Sequence, residues 1–157
     1  MSTATTETTA EEHQLRTEVT ASLLEGTQVS LRARDHAFTI DEPADLGGAD
    51  TGANPVEHLL AALGSCQAIT YRVWAEKLGL RLDDADITLT GDIDLRGFFG
   101  LAETIRPGYS NIDINVTISG PETAETYDAL IDTVEKHCPV LDNLTATVPV
   151  TTSVTVA

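Results

Sequence analysis

The stretch from residue 55 to residue 78 constrains the fold more than any other part of the chain, because it reads as one long helix. Asn54 stands where an N-cap belongs, and Pro55 takes the first helical position, where a missing N–H costs nothing. Gly79 is a natural C-terminal stop. The apolar residues of the stretch are Val56, Leu59, Leu60, Leu63, Cys66, Ile69, Val73 and Trp74. An apolar surface of this breadth predicts a central helix that is covered on most sides.

Short β-strands are predicted on the N-terminal side of this helix. β-branched or alternating residues mark three segments, at residues 17–24, 28–34 and 36–42. The dipeptide Glu25-Gly26 suits a hairpin turn between the first two segments. A loop rich in Gly, Pro and Asp, residues 41–55, leads into the helix.

Two further strands, a second helix and a closing strand are predicted after the central helix. The alternating apolar residues are Ile87, Leu89, Ile93 and Leu95 in the first strand segment, and Ile112, Ile114, Val116 and Ile118 in the second. Pro121 opens the second helix and Pro139 ends it. One face of that helix carries Ala124, Tyr127, Leu130, Ile131, Val134 and Cys138. Residues 145–156 predict the closing strand.

These segments give the order βββ-α-ββ-α-β, an α+β layout with a long central helix and a largely antiparallel sheet. We expect a single domain over residues 15–157. A Thr-rich, acidic and disordered tail is expected at residues 1–14.

Acidic side chains dominate the charge of the chain, with 25 Asp and Glu against 9 Lys and Arg and a net charge of −16. A surface this negative repels phosphate backbones and anionic lipids, which disfavours nucleic-acid and membrane partners. The longest strongly apolar stretch, residues 59–63, is far too short for a membrane span, and the N-terminus lacks the apolar core of an export signal. We therefore expect a cytoplasmic protein. The lysine-poor, acidic surface fits either a salt-rich cytosol or an ordinary acidic protein.

The two cysteines, Cys66 and Cys138, fall on the apolar faces of the two predicted helices. A chain without an export signal does not favour a structural disulfide, so the thiols are packing residues, metal ligands or a redox pair. Cys138 stands at a helix C-terminus, where the negative end of the helix dipole disfavours a thiolate. Cys66 lies in mid-helix without that penalty. If the two form a redox pair, Cys66 should attack first and Cys138 should resolve the oxidised product.

A zinc site built from Cys66, Cys138, His58 and His137 is disfavoured. Adjacent side chains such as those of His137 and Cys138 diverge by about 100° around a helix. His58 would lie about 12 Å along the helix axis from Cys66, which is too far for one tetrahedral ion. We therefore expect no metal.

Several motifs around these residues resemble the signature of the osmotically inducible protein C / organic hydroperoxide resistance family, abbreviated OsmC/Ohr. The motifs are Asp41-Glu42-Pro43, Leu46-Gly47-Gly48, Thr51-Gly52, Asn54-Pro55, the run EHLLAALGSC from Glu57 to Cys66, and the run HCPV from His137 to Val140. The resemblance covers nearly the whole chain from about residue 17. It implies an OsmC-like fold and an intertwined homodimer with two sites at the subunit interface.

The resemblance also implies a cysteine-based peroxidase that reduces organic hydroperoxides in stress defence. By that resemblance, Cys66 is the peroxidatic cysteine and Cys138 the resolving one. A dithiol such as dihydrolipoamide would recycle the enzyme, and no metal or organic cofactor is required.

The chain departs from the peroxidase members at the charged groups that activate the thiol. Those members carry a glutamate directly after the Asn-Pro, whereas this chain has Val56 there and Glu57 one residue later. Nine residues amount to about 900° of helical rotation, which puts Glu57 and Cys66 on opposite sides. Glu57 can take part in catalysis if the first turn of the helix is irregular or if its side chain reaches the site of the other subunit. Otherwise it is a first-turn carboxylate that complements the helix dipole. Arg34 is nominated as the activating cation, although it and Arg32 also fit a solvated strand face.

Two classes of function therefore remain open. The first is a thiol-dependent peroxide reductase acting on organic hydroperoxides. The second is a non-peroxidase OsmC-like dimer that binds a small apolar or thiol-containing ligand in its interface pocket. Trp74, Phe98 and Phe99 are candidate lining residues for either class.

Overall fold

The computed structural model describes residues 13–156, so the predicted tail at residues 1–14 lies almost entirely outside the described residues. Within the described residues, the chain forms five strands: β1 (Thr20–Leu23), β2 (Val29–Ala33), β3 (His36–Ile40), β4 (Asp84–Asp92) and β5 (Asn111–Ser119). Residues 13–156 also form four α-helices: α1 (Pro55–Leu78), α2 (Leu95–Phe98), α3 (Ala124–His137) and α4 (Pro139–Thr145). The chain divides into two compact units, one ending at Pro55 and the other beginning at Val56. The single domain expected from residue 15 stays a prediction.

The N-terminal unit is built on a three-stranded antiparallel sheet in the order β1-β2-β3. The predicted turn at Glu25-Gly26 is confirmed, because Gly26 has φ 61° and the N–H of Gln28 donates to the carbonyl of Glu25 at 3.1 Å. Along β2, Leu31 is partly buried and Arg32 is exposed, as the alternation predicts.

A buried carboxylate holds the loop that follows β3. Asp41 is 1% exposed, and its Oδ1 accepts hydrogen bonds from the Thr27 hydroxyl at 2.7 Å and the Glu42 N–H at 2.9 Å. Its Oδ2 accepts from the N–H of Ala49 at 3.1 Å and from the N–H and hydroxyl of Thr51 at 3.2 and 3.0 Å. Five donors on one carboxylate fix the path of the loop between Asp41 and Thr51.

Acid should weaken this loop anchor in a defined pH range. The hydrogen bond from Thr27, supported by donors on Thr51 and Ala49, lowers the pKa of Asp41 from 3.8 to about 2. A depressed folded-state pKa contributes stability that is present above pH 3.8 and is lost as the pH falls through about 2. Asp41→Asn should therefore unfold at lower urea than the wild type at neutral pH, with a difference that shrinks between pH 4 and pH 2.

Urea unfolding followed by circular dichroism at several pH values checks this expectation. Asp45→Asn is the matched control, since Asp45 is an exposed aspartate of the same loop, and it should unfold like the wild type. A difference between Asp41→Asn and the wild type that stays constant down to pH 2 would contradict the assignment.

The C-terminal unit carries the antiparallel pair β4-β5, which is in register from Asp84↔Ser119 to Asp92↔Asn111. Residues of α1 and α3 share one buried core with Leu82, which lies between α1 and β4: Tyr71, Ala75, Leu82, Tyr127, Leu130 and Val134. Ile87 and Val116, on the apolar face of β4-β5, pack against that core. The predicted packing of the two long helices is confirmed.

Both predicted ends of the central helix are confirmed. Helix α1 begins at Pro55 and ends at Leu78. Gly79 follows in the left-handed region with φ 69°, and the N–H of Leu80 donates to the Ala75 carbonyl at 2.8 Å. The predicted cover on most sides is wrong for the single chain, because Ile69 is 64% and Val73 41% exposed.

Two element boundaries differ from the sequence-based prediction because side-chain caps decide them. Strand β4 ends at Asp92, and Leu95 begins α2, because Asp94 caps that helix by accepting the N–H of Arg96 at 3.0 Å. Helix α3 begins at Ala124 and not at Pro121. The cap there is Thr123.

The C-terminal end of the chain differs most from the prediction. Pro139 ends α3 but also occupies the first position of an additional helix, α4, a position at which proline is favoured. Residues 146–156 form no strand, so the closing strand is wrong for the single chain. A strand needs an edge to pair with, and Pro149 lacks the N–H that a ladder requires. The α+β class and the order of the long elements are confirmed.

Candidate functional site

The structure brings the two cysteines into contact in the C-terminal unit. Cys66 is partly buried in the middle of α1, and Cys138 is 1% exposed at the junction of α3 and α4. Both are free thiols, and they are near enough to each other for Cys66 to raise the pKa of Cys138. The sequence predicted that the two long helices could bring Cys66 and Cys138 close together, and the structure has them close together.

The surroundings of Cys138 hold it in the protonated form. Burial raises the pKa of the Cys138 thiol, and the neighbouring Cys66 side chain raises it further. The N–H groups of Leu141 and Val140 act in the opposite direction, because Cys138 is the N-cap of α4 as well as the C-cap of α3. Desolvation, and not the dipole of α3, is thus the main reason that Cys138 resists ionisation.

Cys66 opens into a surface groove of about 270 Å³. The groove is lined by Cys66, Ile69, Thr70, Val73, Trp74, His137 and Pro139. Two of these residues titrate, Cys66 and His137, and most of the others are apolar. The groove can therefore hold a small apolar molecule against a thiol and an imidazole.

His137 is fixed by contacts from two helices. Its Nδ1 lies 2.8 Å from the Thr133 carbonyl oxygen, which can only accept, so Nδ1 donates. Its ring centroid lies 4.2 Å from that of Trp74 at an interplanar angle of 43°, and Lys77 Nζ lies 4.5 Å from the Trp74 centroid. His137 had no predicted role beyond that of a disfavoured zinc ligand; its position next to Cys138 is the signal that could have identified it.

Glu57 lies in the first turn of α1, far from the thiols along the helix. Nine residues separate it from Cys66, which is roughly 14 Å of helical rise. Burial raises the pKa of Tyr109, and the negative charge of Glu57 raises it further. The Tyr109 hydroxyl donates to the Val56 carbonyl at 3.0 Å. The chain thus places Glu57 beside Tyr109, and its catalytic role stays a prediction.

Arg34 lies in the N-terminal unit, at the turn between β2 and β3, with φ 56°. Together with Arg16 and Arg32 it lines a groove of about 750 Å³ in that unit. Three of the nine Lys and Arg residues of the chain therefore lie on one concave surface. The role of Arg34 as activating cation stays a prediction.

The remaining expectations concern metals, membranes and aromatic lining residues. Within residues 13–156, no group of three or more His, Cys, Asp or Glu residues could hold a metal ion. In the same part of the chain, no helix has both the length and the apolar character that crossing a membrane requires. Trp74 lines the Cys66 groove, whereas Phe98 and Phe99 are 67% and 54% exposed and contact each other, with ring centroids 5.1 Å apart.

Comparisons with known proteins agree on one family. The family described as OsmC-like protein matches residues 47–153 of the chain. The solved OsmC-like protein from Mycoplasma pneumoniae is 21% identical, with 83% of this chain and 88% of that chain covered and a TM-score of 0.73. No curated protein sequence matches the chain.

Two similar solved structures carry names that refer to organic hydroperoxides. One is the organic hydroperoxide resistance protein OsmC from Legionella pneumophila, at 20% identity, 83% and 89% coverage of the two chains, and a TM-score of 0.64. The other is a putative organic hydroperoxide resistance protein from Vibrio cholerae with captopril bound in one of its active sites. It is 19% identical, with 83% and 84% coverage and a TM-score of 0.62. At these identities the likeness concerns the fold.

Proposed function

Because the chain belongs to the family of OsmC-like proteins, we propose that it is a thiol-dependent peroxide reductase that acts on organic hydroperoxides. One observation carries the proposal: a partly exposed thiol, Cys66, is in contact with a buried thiol, Cys138, whose pKa is raised. Such a pair suits the division into an attacking and a resolving cysteine. The hydroperoxide names of similar structures are consistent with it.

The chemistry proceeds in three balanced steps. The Cys66 thiolate attacks the terminal oxygen of the hydroperoxide, the O–O bond breaks, and the alkoxide leaves as an alcohol after it takes up a proton. Cys66 is thereby oxidised to a sulfenic acid. The Cys138 thiol then attacks the Cys66 sulfur, a disulfide forms and water leaves. A dithiol of the dihydrolipoamide type reduces this disulfide and is itself oxidised to a disulfide.

The proposal places this cycle in the cytoplasm, as part of stress defence. The cycle needs a compartment where glutathione and thioredoxin keep thiols reduced between turnovers, and the cytoplasm is such a compartment. The strong negative charge of the chain gives no support to a nucleic-acid partner.

A homodimer is part of the proposal. Proteins of this family are typically dimeric. In this chain, two of the exposed apolar residues of α1, Ile69 and Val73, lie beside Cys66 in the groove, and a second copy would cover them. Arg34 is retained as the cation that would favour the Cys66 thiolate, and Glu57 as the carboxylate that would hold this cation in place, both acting on the site of the second copy.

A second function stays a candidate on a specific observation. Val56 stands where peroxidase members carry a glutamate, and most of the residues that line the Cys66 groove are apolar. Both features suit an OsmC-like dimer that binds a small apolar or thiol-containing ligand without reducing it.

Counting thiols after peroxide addition separates the two functions. The reduced protein should lose both of its thiols, Cys66 and Cys138, when it receives one equivalent of cumene hydroperoxide per chain. Non-reducing mass spectrometry should then find a disulfide within one chain. Protein with alkylated thiols, treated in the same way, is the control. A thiol count that stays unchanged under excess peroxide would favour the binding function.

A further inference from the structure

The groove beside Cys66 holds one other group that can carry a proton, and the three steps above leave it without a role. Among the residues that line the groove, Cys66 and His137 are the titratable ones. The alkoxide that leaves a hydroperoxide is strongly basic, so its departure is slow unless an acid donates a proton to it. A thiol and an imidazole in one groove supply the two groups that this step needs.

Hydrogen bonding decides which nitrogen of His137 is available. Nδ1 donates to the Thr133 carbonyl at 2.8 Å, so in the neutral ring Nε2 carries the lone pair. A histidine whose Nδ1–H is held by an acceptor is oriented to take up and return a proton through Nε2. The packing against Trp74, with ring centroids 4.2 Å apart, limits rotation of the ring out of this orientation.

Resting on the peroxide reductase function, we propose that His137 is a catalytic residue that protonates the leaving oxygen of the hydroperoxide. The Cys66 thiol proton passes to Nε2 of His137. The thiolate forms its bond to the terminal oxygen as the O–O bond breaks, and Nε2–H returns the proton to the alkoxide. The products are the Cys66 sulfenic acid, an alcohol and neutral His137, so protons and electrons balance.

Two substrates with different leaving groups separate proton donation from a structural role. Cumene hydroperoxide releases an alkoxide, which needs a proton, whereas peracetic acid releases acetate, which does not. Both substrates meet the same Cys66 thiolate. The ratio of their rate constants therefore cancels any effect of a substitution on thiol ionisation or on folding.

His137→Asn is the main variant, because the asparagine amide can still donate to the Thr133 carbonyl while Nε2 is lost. It is made in a Cys138→Ser background, so that Cys66 is the one thiol counted in quenched samples by mass spectrometry. We expect the rate constant for cumene hydroperoxide to fall about 100-fold, the scale of general acid catalysis. The rate constant for peracetic acid should change by only a few fold, and His137→Gln should behave in the same way.

His36→Asn is the matched control, since His36 lies on β3 and should leave both rate constants unchanged. The ratio of the rate constants for cumene hydroperoxide and peracetic acid could instead be the same in His137→Asn, His137→Gln and the parent protein. That result would overturn the role of His137, and the reductase function would stand. If the parent protein reacts with peracetic acid but not with cumene hydroperoxide, the reductase function fails and the inference fails with it.

Discussion

Cys66→Ser is expected to abolish the consumption of organic hydroperoxide, whereas Cys138→Ser is expected to allow a single turnover that ends in a sulfenic acid at Cys66. The reason is the unequal setting of the two thiols. Cys66 borders an open groove, and Cys138 is buried with a raised pKa, so Cys138 is a poor first nucleophile. Peroxide loss should fall to the buffer rate in the first variant.

Peroxide consumption and trapping of the sulfenic acid by a dimedone-type probe check this result. Ser65→Ala is a suitable control, because Ser65 neighbours Cys66 but its hydroxyl donates only to the Ala62 carbonyl at 3.2 Å. Its turnover should match the wild type. A probe adduct at Cys138 in the Cys66→Ser variant would show that the two roles are reversed.

Charges on one face of the C-terminal segment should dissociate the proposed homodimer, whereas the same charges on the other face should not. In residues 147–156, four of the five even positions carry valines, at 148, 150, 154 and 156, which are 48%, 88%, 81% and 90% exposed; the fifth is Thr152. The odd positions carry polar residues and Pro149. This alternation is that of a strand with one apolar face, so a second copy would bury the valines.

The variant Val150→Glu/Val154→Glu is therefore compared with Thr151→Glu/Thr155→Glu, which adds the same charge to the other face. Loss of two buried valines is worth several kcal/mol, so the first variant should raise the dimer dissociation constant at least about 100-fold. Sedimentation over a range of concentrations measures it. Equal effects of the two variants would contradict a face-specific interface, and a wild type that sediments as a monomer would contradict the homodimer.

Features with local causes could be predicted from the sequence. The bounds of α1 follow from Pro55 and Gly79, and the hairpin follows from Gly26, because each residue limits its own backbone. The contact of Cys66 with Cys138 also followed from position, since both lie on the apolar faces of helices that share a core. Helical periodicity places such residues without knowledge of the tertiary structure.

Features with distant causes could not be predicted in this way. Residues 146–156 have a strand pattern, but pairing depends on an edge that no local pattern supplies. Helix α4 was missed because Pro139 both ends one helix and suits the start of another. The role inferred for His137 depends on its contacts with Thr133 and Trp74. The contact with Trp74 joins α3 to α1, so it depends on the tertiary structure.

The position of Trp74 gives the protein an optical probe of its own reaction centre. It is the one tryptophan of the chain, and it borders the Cys66 groove while packing against His137. Indole emission excited at long wavelength therefore originates beside the thiol pair. The fluorescence of unlabelled protein can thus report ligand entry and redox changes at the Cys66 groove, without a contribution from any other tryptophan.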